Sequence, residues 1–597
     1  MSVVGFDFGT TNSLISIITG NKVINYTGDD GLPIPSVVCY EGNKKIVGRE
    51  AKERLAESGL GIKGNTVRSP KVLLGRESVF VEGVKRSPVD IVRDVVEYVA
   101  QQAVQSGQRR GTNSQPISQA VVTIPVGTDG RWRAALRDAF RLAGISIVQF
   151  VHEPLAALYG FFNTQDDVTA ALRMFDRELI LVFDWGGGTL DLTLCRQVDG
   201  MLIQIRNDGT DEVGGDTFDD LIRHEIVRRV GQARCLDDGV HIQPDAHARL
   251  VHRCESAKID LSNRDSVQIY VSGFYRGIPD EELEYRLTRA ELEEITSPLL
   301  NKGLNRIRKL LDEADVAPAQ IAMCLATGGM ANMPAIQSRL HEWFGPQRVK
   351  VSSRSATLIA EGAAWIAHDA ARLHLAKHVE LVLARNSYMP LLKAGTEMPR
   401  EGEVRKDQFH LYCADPRDGY AKFQLCAPVR PGQKVLVNDR RNPLDNLVVA
   451  VDEKARPFQE RLELDVQVND NLILTAQARS LNKRDLAETE VHNLEFGLTF
   501  PNKHQPWQQG GHAVDVLGAA GGHETGDLVI RSNIANDALV YNVPGELLFT
   551  YHREYFDTRL NPPTIQVEER LYYEPCALCG RASNDPLCRC ASRLSAV

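Results

Sequence analysis

Residues 181–194 read LVFDWGGGTLDLTL, a strand, a glycine turn and a second strand. Three consecutive glycines, Gly186, Gly187 and Gly188, leave the backbone free to take positive φ and to present its N–H groups. A row of such groups makes a concavity that accepts an anion such as phosphate. Asp184 stands before the turn, and Thr189 and Asp191 follow it. Two carboxylates beside a phosphate cradle point to magnesium and a nucleotide. A glycine turn alone is weak ground, because most such turns only turn.

The plan repeats near the start of the chain. Residues 3–18, VVGFDFGTTNSLISII, are again strand, turn and strand, and Asp7, Gly9, Thr10 and Thr11 repeat the placement of Asp184, Gly186 and Thr189. Repetition of a whole unit implies a duplicated fold with two phosphate hairpins facing one cleft. Neither turn is G-x-x-x-x-G-K-[ST], and neither opens directly into a helix, so P-loop and Rossmann sites are disfavoured.

At 597 residues the chain is too long for one domain. Its 43% hydrophobic and 25% charged residues are those of an ordinary soluble globular protein. A net charge of −9 gives no electrostatic case for nucleic acid or anionic membrane. A strand beginning at Val3 leaves no room for a signal peptide, and no apolar run approaches the roughly 18 residues of a spanning helix. The expected compartment is the cytoplasm, with neither nucleic acid nor membrane as partner. Of the 11 cysteines, seven are scattered singly and read as small core residues.

Residues 1–375 alternate strand-like and helix-like segments, the pattern of an α/β domain. QAVVTIPV (119–126) leads through Thr128 and Asp129, both capable N-caps, into a helix with Trp132, Leu136 and Phe140 at every fourth position and a stop at Gly144. Residues 246–262 read as a helix with two stripes. Leu250, Cys254, Ala257 and Leu261 form an apolar one, and Glu255, Lys258 and Ser262 form a polar one on another face. From spacing alone, the polar stripe is a solvated surface.

Beyond the domain the period changes to two. Residues 376–386 read as a connector, although Leu381–Leu383 are apolar and call for burial against a partner domain. Residues 387–505 read as an all-β module, a sandwich, with a hairpin over 461–477 turning at Asn469-Asp470-Asn471. Residues 506–526 read as a loop, and 527–597 as a β-rich extension closing on CALCGRASNDPLCRC.

In this order the motifs resemble the heat-shock protein 70 family, DnaK type, over about residues 3–370. DFGTTNS and DWGGGTLD resemble its two phosphate-binding hairpins. The resemblance implies a multidomain chain: an actin-like (ribonuclease H-like) two-lobed ATPase domain, then a peptide-binding sandwich that grips extended apolar chain through its backbone. Asp7 and Asp184 would hold hydrated magnesium. Gly9, Thr10, Thr11, Asn12, Gly186, Gly187, Gly188 and Thr189 would bind the phosphates of ATP or ADP. Lys71, Glu153 and Asp191, with Thr189, would serve slow hydrolysis, orienting water and balancing charge. Gly214, Gly215, Glu255, Lys258, Ser262, Gly328 and Gly329 would face the adenosine, which displaces the solvated-surface reading of the polar stripe. Pro125 and Arg133 resemble the relay that reports nucleotide state. Implied partners are a polypeptide client, a J-domain-type co-chaperone and a nucleotide exchange factor.

Departures from the pattern are specific. Ile259 stands where the family places an arginine beside the adenine, and Met330 and Asn332 replace a serine and an arginine. The leucine-rich linker ending in aspartate, the helical lid and the acidic tail have no counterpart. In their place stand Cys576, Cys579, Cys588 and Cys590, whose C-x₂-C-x₈-C-x-C spacing is that of a Cys₄ zinc site and whose CALCG resembles a zinc knuckle. Free thiols, two disulfides and an iron–sulfur cluster are the alternatives. An ATP-holding scaffold or dedicated partner protein with little hydrolysis is the competing function. A filament-forming actin relative and a sugar kinase follow at a distance.

Overall fold

The computed structural model describes residues 3–501, apart from 59–64, 112–114, 199, 237–240, 244–245, 279, 353, 384–386, 433–434 and 437–438. Beyond 501 it describes the backbone of three strands within 538–572. The readings placed on 506–526 and on the four C-terminal cysteines lie outside the described residues. Two compact units emerge: residues 1–372 with 498–504, and residues 373–497 with 505–597.

The first unit is mixed α/β. One sheet is built on β1 (Val4–Phe8), β2 (Asn12–Thr19), β3 (Lys22–Tyr26), β4 (Gln119–Ile124) and β5 (Ser146–His152), in the order β5-β4-β1-β2-β3. The other contains β6 (Leu179–Trp185), β7 (Leu190–Val198), β8 (Met201–Thr210), β9 (Ile321–Thr327) and β10 (Val349–Val351), in the order β10-β9-β6-β7-β8. Each is an antiparallel three-strand meander with two parallel strands added on the side of its first strand. The duplication implied by the twin turns is therefore a duplication of the whole sheet.

Two helices bring the halves together, α1 (Glu153–Asn163) and, later in the chain, Leu358–His368. They cross with almost no side chain between them. A Cβ on Gly362 would lie 1.8 Å from the Ala156 carbonyl oxygen, and one on Gly160 would lie 2.8 Å from that of Leu358. Gly5 of β1 admits the later helix in the same way, its missing Cβ falling 2.1 Å from the Ala364 nitrogen. Burial is complete here: Leu155, Ala156, Ala157, Leu158 and Ala360 are wholly inaccessible.

Among the described residues the stretch from Ser387 to Thr499 holds strands and no helix. One antiparallel sheet takes β11 (Val379–Leu383), β12 (Ser387–Leu392), β13 (Tyr420–Pro428) and β14 (Arg441–Ala450) in the order β12-β11-β13-β14. Thus the stretch 376–386, read as a connector, holds a strand. Val379, Leu381 and Leu383 are buried in the module's own sheet, which answers their apolar character without any partner domain. A second sheet runs Leu486–Val491, Leu474–Ser480, Arg461–Asn469, Val404–Cys413, and the C-terminal strand Ala538–Tyr541 pairs onto its edge. The hairpin at 461–480 buries Leu462, Leu464, Val466 and Val468 on one face. At its turn the left-handed residue is Leu472 (φ 59°), while Asn469 accepts hydrogen bonds from the N–H groups of Asn471 and Ile473.

The module is entered and left by neighbouring strands. His374–Leu375 pairs antiparallel with Phe496–Thr499, His374 opposite Gly497 and Leu375 opposite Phe496. The Ala376 N–H donates to the Glu495 carbonyl at 2.8 Å, and Lys377 forms a buried ion pair with Glu495 at 3.3 Å. A two-stranded pairing, closed by a salt bridge, stands beside the stretch read as a connector. Of the seven scattered cysteines six are buried, and Cys235 is exposed.

Candidate functional site

The two turns meet. A Cβ on Gly187 would lie 2.0 Å from Thr11 Oγ1, and one on Gly188 would lie 2.5 Å from Thr10 Cγ2 and 2.8 Å from its Cβ. The glycines are thus required for closeness. None of Gly186, Gly187 and Gly188 adopts positive φ, which corrects the conformational reason read from the sequence. The Gly186 N–H closes the turn onto the Thr189 carbonyl at 2.9 Å. The Gly186 and Gly187 carbonyls accept from the N–H groups of Gly215 and Asp216, at the start of the helix Gly215–Ala233. In a trans peptide the N–H points opposite its carbonyl. The N–H groups of Gly187 and Gly188 are therefore turned away from that helix, toward the facing threonine turn. Gly9 needs its missing Cβ as well, which would sit 2.2 Å from the Asn12 carbonyl oxygen at the start of β2.

Charged groups gather below the turns. Lys71 and Glu153 are buried and paired at 2.7 Å. Lys71 sits in a short 3₁₀ segment, Pro70–Leu73, entered through left-handed Ser69, and its carbonyl accepts from the Trp132 indole N–H at 3.1 Å. Asp7 accepts from the Thr123 hydroxyl at 2.7 Å, and Asp191 from the Val126 N–H at 2.9 Å. Asp184 Oδ1 and the Thr11 hydroxyl are buried with no hydrogen-bond partner among the described residues. Burial, followed by the charge of Glu153, pushes the Asp7 carboxyl up to about 6 and the Asp191 carboxyl up to about 7. The same causes, joined by Asp191 and Asp7, hold Asp184 well above the usual carboxylate range. Lys71 opposes all three shifts.

Four carboxylates facing one ammonium in a dry cleft make a site short of positive charge. Hydrated magnesium fits that donor set, since Asp7 and Asp184 are carboxylates and Asp184 holds an unpartnered oxygen toward the cleft's acids. Among the described residues no three acidic, histidine or cysteine side chains converge closely enough to ligate a metal directly. Contact through water is what two carboxylates and a small, reluctantly dehydrated cation allow.

The residues expected around the adenosine lie against the same turns. A Cβ on Gly214 would meet the Gly188 carbonyl oxygen at 2.3 Å, and one on Gly215 would meet Lys258 Nζ at 3.1 Å and Met330 Sδ at 3.2 Å. Gly328 takes positive φ (82°), and a side chain there would strike Asp184 Oδ1 at 2.6 Å. Gly329 borders open space. Glu255 and Lys258 belong to the helix Ala246–Asp260, whereas Ser262 lies in the turn beyond it, so the polar stripe does not continue as helix to its last member. Lys258 is buried, donating to the Gly215 carbonyl at 2.9 Å and paired with Asp219 at 2.8 Å. Glu255 is paired with Lys52 at 2.8 Å. A narrow cavity lined by Thr11, Lys52, Arg68, Ser69, His252 and Glu255 joins this side to the threonine turn. Ile259 is 59% exposed and Met330 is buried.

Several partners were missed in the sequence. Lys52 and Asp219 carry no motif of their own, and only long-range contact reveals them. His152 stood in view beside Glu153: it is buried, shares a hydrogen bond with Gln204 at 3.3 Å, and is pushed down to about 3 by burial and then by the charge of Arg133. Arg133, also fully buried, donates to the Thr128 carbonyl and hydroxyl, and that hydroxyl donates to the Pro125 carbonyl. Next along the chain is Val126, whose N–H holds Asp191. A continuous set of bonds therefore runs from Arg133 through Pro125 to a site carboxylate.

Comparison with known proteins agrees with this geometry. A family model described as Hsp70 protein matches residues 3–372. The chain is also similar to a protein described as "Chaperone protein dnaK" from Emiliania huxleyi, 29% identical over 386 residues, which cover 61% of this chain and 59% of that one. The match thus spans less than two thirds of that relative's length. Both facing hairpins, their lysine and their carboxylates fall inside the stretch that the family model covers, and the chain belongs to the heat-shock protein 70 family.

Proposed function

We propose that this chain binds ATP with magnesium in the cleft between the two hairpins, hydrolyses it slowly, and couples nucleotide state to the binding of a polypeptide client. The reading rests chiefly on one observation: two backbone turns approach within a methyl group of each other above a buried Lys71–Glu153 pair and three further carboxylates. Thr10, Thr11 and Thr189, with the N–H groups of Gly187 and Gly188, bind phosphate oxygens. Bound magnesium, held through water by Asp7 and Asp184, supplies the positive charge that the cleft lacks. Glu153 and Asp191 orient the attacking water, Asp191 being fixed by the Val126 N–H. Lys71 balances charge beside the transferred group. Little covalent work falls to the protein in phosphoryl transfer, so alignment and neutralisation are its task.

On the adenosine side, Glu255 and Lys258 meet the ribose and base with their ion-pair partners rearranged, and Ile259 offers apolar cover in place of an arginine's charge. The C-terminal cysteines hold structural zinc, and the compartment is cytoplasmic. Among the described residues no helix is long and apolar enough to cross a membrane. The β-module takes the client, a dedicated protein partner, and co-chaperones act as in the family.

Single-turnover hydrolysis by wild type and by Lys71→Ala tests the catalytic part. A loss of about 100-fold or more is expected, because the substitution removes the compensating charge and leaves Glu153 buried and unpaired. Equal rates would leave an ATP-holding scaffold, the reading toward which Ile259 leans.

A further inference from the structure

After the β-module the chain returns to the first unit. Leu498, Thr499 and Phe500 are all buried there. The Phe500 ring stacks on Tyr159, with centroids 4.3 Å apart and planes 2° from parallel, and meets Phe162 edge-on at 6.0 Å. Its N–H donates to the Gly200 carbonyl at 2.9 Å. Tyr159 is fixed in turn, its hydroxyl donating to Asp369 at 2.6 Å.

Each gripped group is the far end of an element whose near end stands in the cleft. Helix α1 begins with Glu153 and carries Tyr159 and Phe162 toward its other end. Gly200 is the turn between β7 and β8, and β7 carries Asp191 near its opposite end. Helices and paired strands are stiff along their length, so a displacement at one end is felt at the other. Phe500 is three residues from Gly497, which belongs to the β-module. No other aromatic contact joins a residue beyond 497 to this helix among the described residues.

We propose that Phe500 is a latch, a positioning residue through which the β-module sets Glu153 and Asp191. Seated between Tyr159 and Phe162, it holds the helix and the β7–β8 turn from behind. Drawn out by a movement of the module, it releases both. The proposal rests on the ATPase reading above and adds to it the place where the second unit acts.

The test uses the full chain as wild type, Phe500→Leu and Phe500→Ala, with hydrogen exchange of the 498–500 amides, ADP affinity by titration, and single-turnover hydrolysis. Exchange and rate should shift in step across the series, by about fivefold or more for alanine and less for leucine, with ADP affinity within about twofold. Faster exchange with a rate within about twofold of wild type would overturn the latch. So would a parallel loss of ADP affinity, which marks general loosening. Phe500→Leu keeps apolar volume and decides the matter if the alanine variant is too unstable to purify. Failure of the ATPase reading is seen separately, in wild type that hydrolyses no faster than Lys71→Ala, and it would remove the latch as well.

Discussion

Four carboxylates and one lysine define the chemistry of single residues here. Folding takes Asp7 from an ordinary pKa near 4 to about 6, and Asp191 to about 7, so both bind more protons folded than unfolded between those values. Stability without ligand should therefore fall as pH rises from about 4 to about 7, the sign expected where the folded state holds the extra protons. On the proposed function, bound magnesium and ADP would relieve that repulsion. The gain in melting temperature on adding them should be larger at pH 8 than at pH 5, and Asp191→Asn should flatten the difference. Thermal melts at the two pH values, with and without ligand, give the answer; an equal gain at both would show that these carboxylates do not face the bound cation. The residues themselves were legible, since Asp7, Asp184 and Asp191 sit at the turns that the sequence repeats. Their shifts were not, because burial and the approach of Glu153 are properties of the folded cleft.

Between elements, the closest fit is the crossing of α1 with Leu358–His368 at Gly160 and Gly362. Gly362→Val would drive a branched side chain into the Ala156 carbonyl, costing about 3 kcal/mol or more through overpacking. The first urea transition of the full chain should move to lower denaturant; an unchanged midpoint would mean that the helices separate at no cost. Alternation made the β-strands easy to read, and the hairpin at 461–480 keeps the predicted inward face residue by residue. The stretch 376–386 was misread because its position between two domains outweighed its composition. Val379, Leu381 and Leu383 alternate as a strand should, and they form one. Ser262 shows the opposite error: its spacing is helical, but the helix ends at Asp260.

At the scale of the molecule, the family model matches residues 3–372. The C-terminal cysteines carry one expectation of their own. Purified full chain should hold about one zinc per molecule, and Cys576→Ser with Cys588→Ser should abolish it, as a Cys₄ structural site requires. Metal analysis that finds no zinc, or iron in its place, would remove that assignment. Order of motifs along the chain was enough to name the family, but no local pattern could announce that residues 374–375 and 496–499 would pair, since the two stretches are more than a hundred residues apart and each is only a few residues long.

That pairing changes what kind of object the β-module is. Within the second unit an early stretch and a late one run side by side, held by hydrogen bonds and a buried salt bridge. A single cut in a surface turn between them would leave the two pieces joined to each other by that pairing.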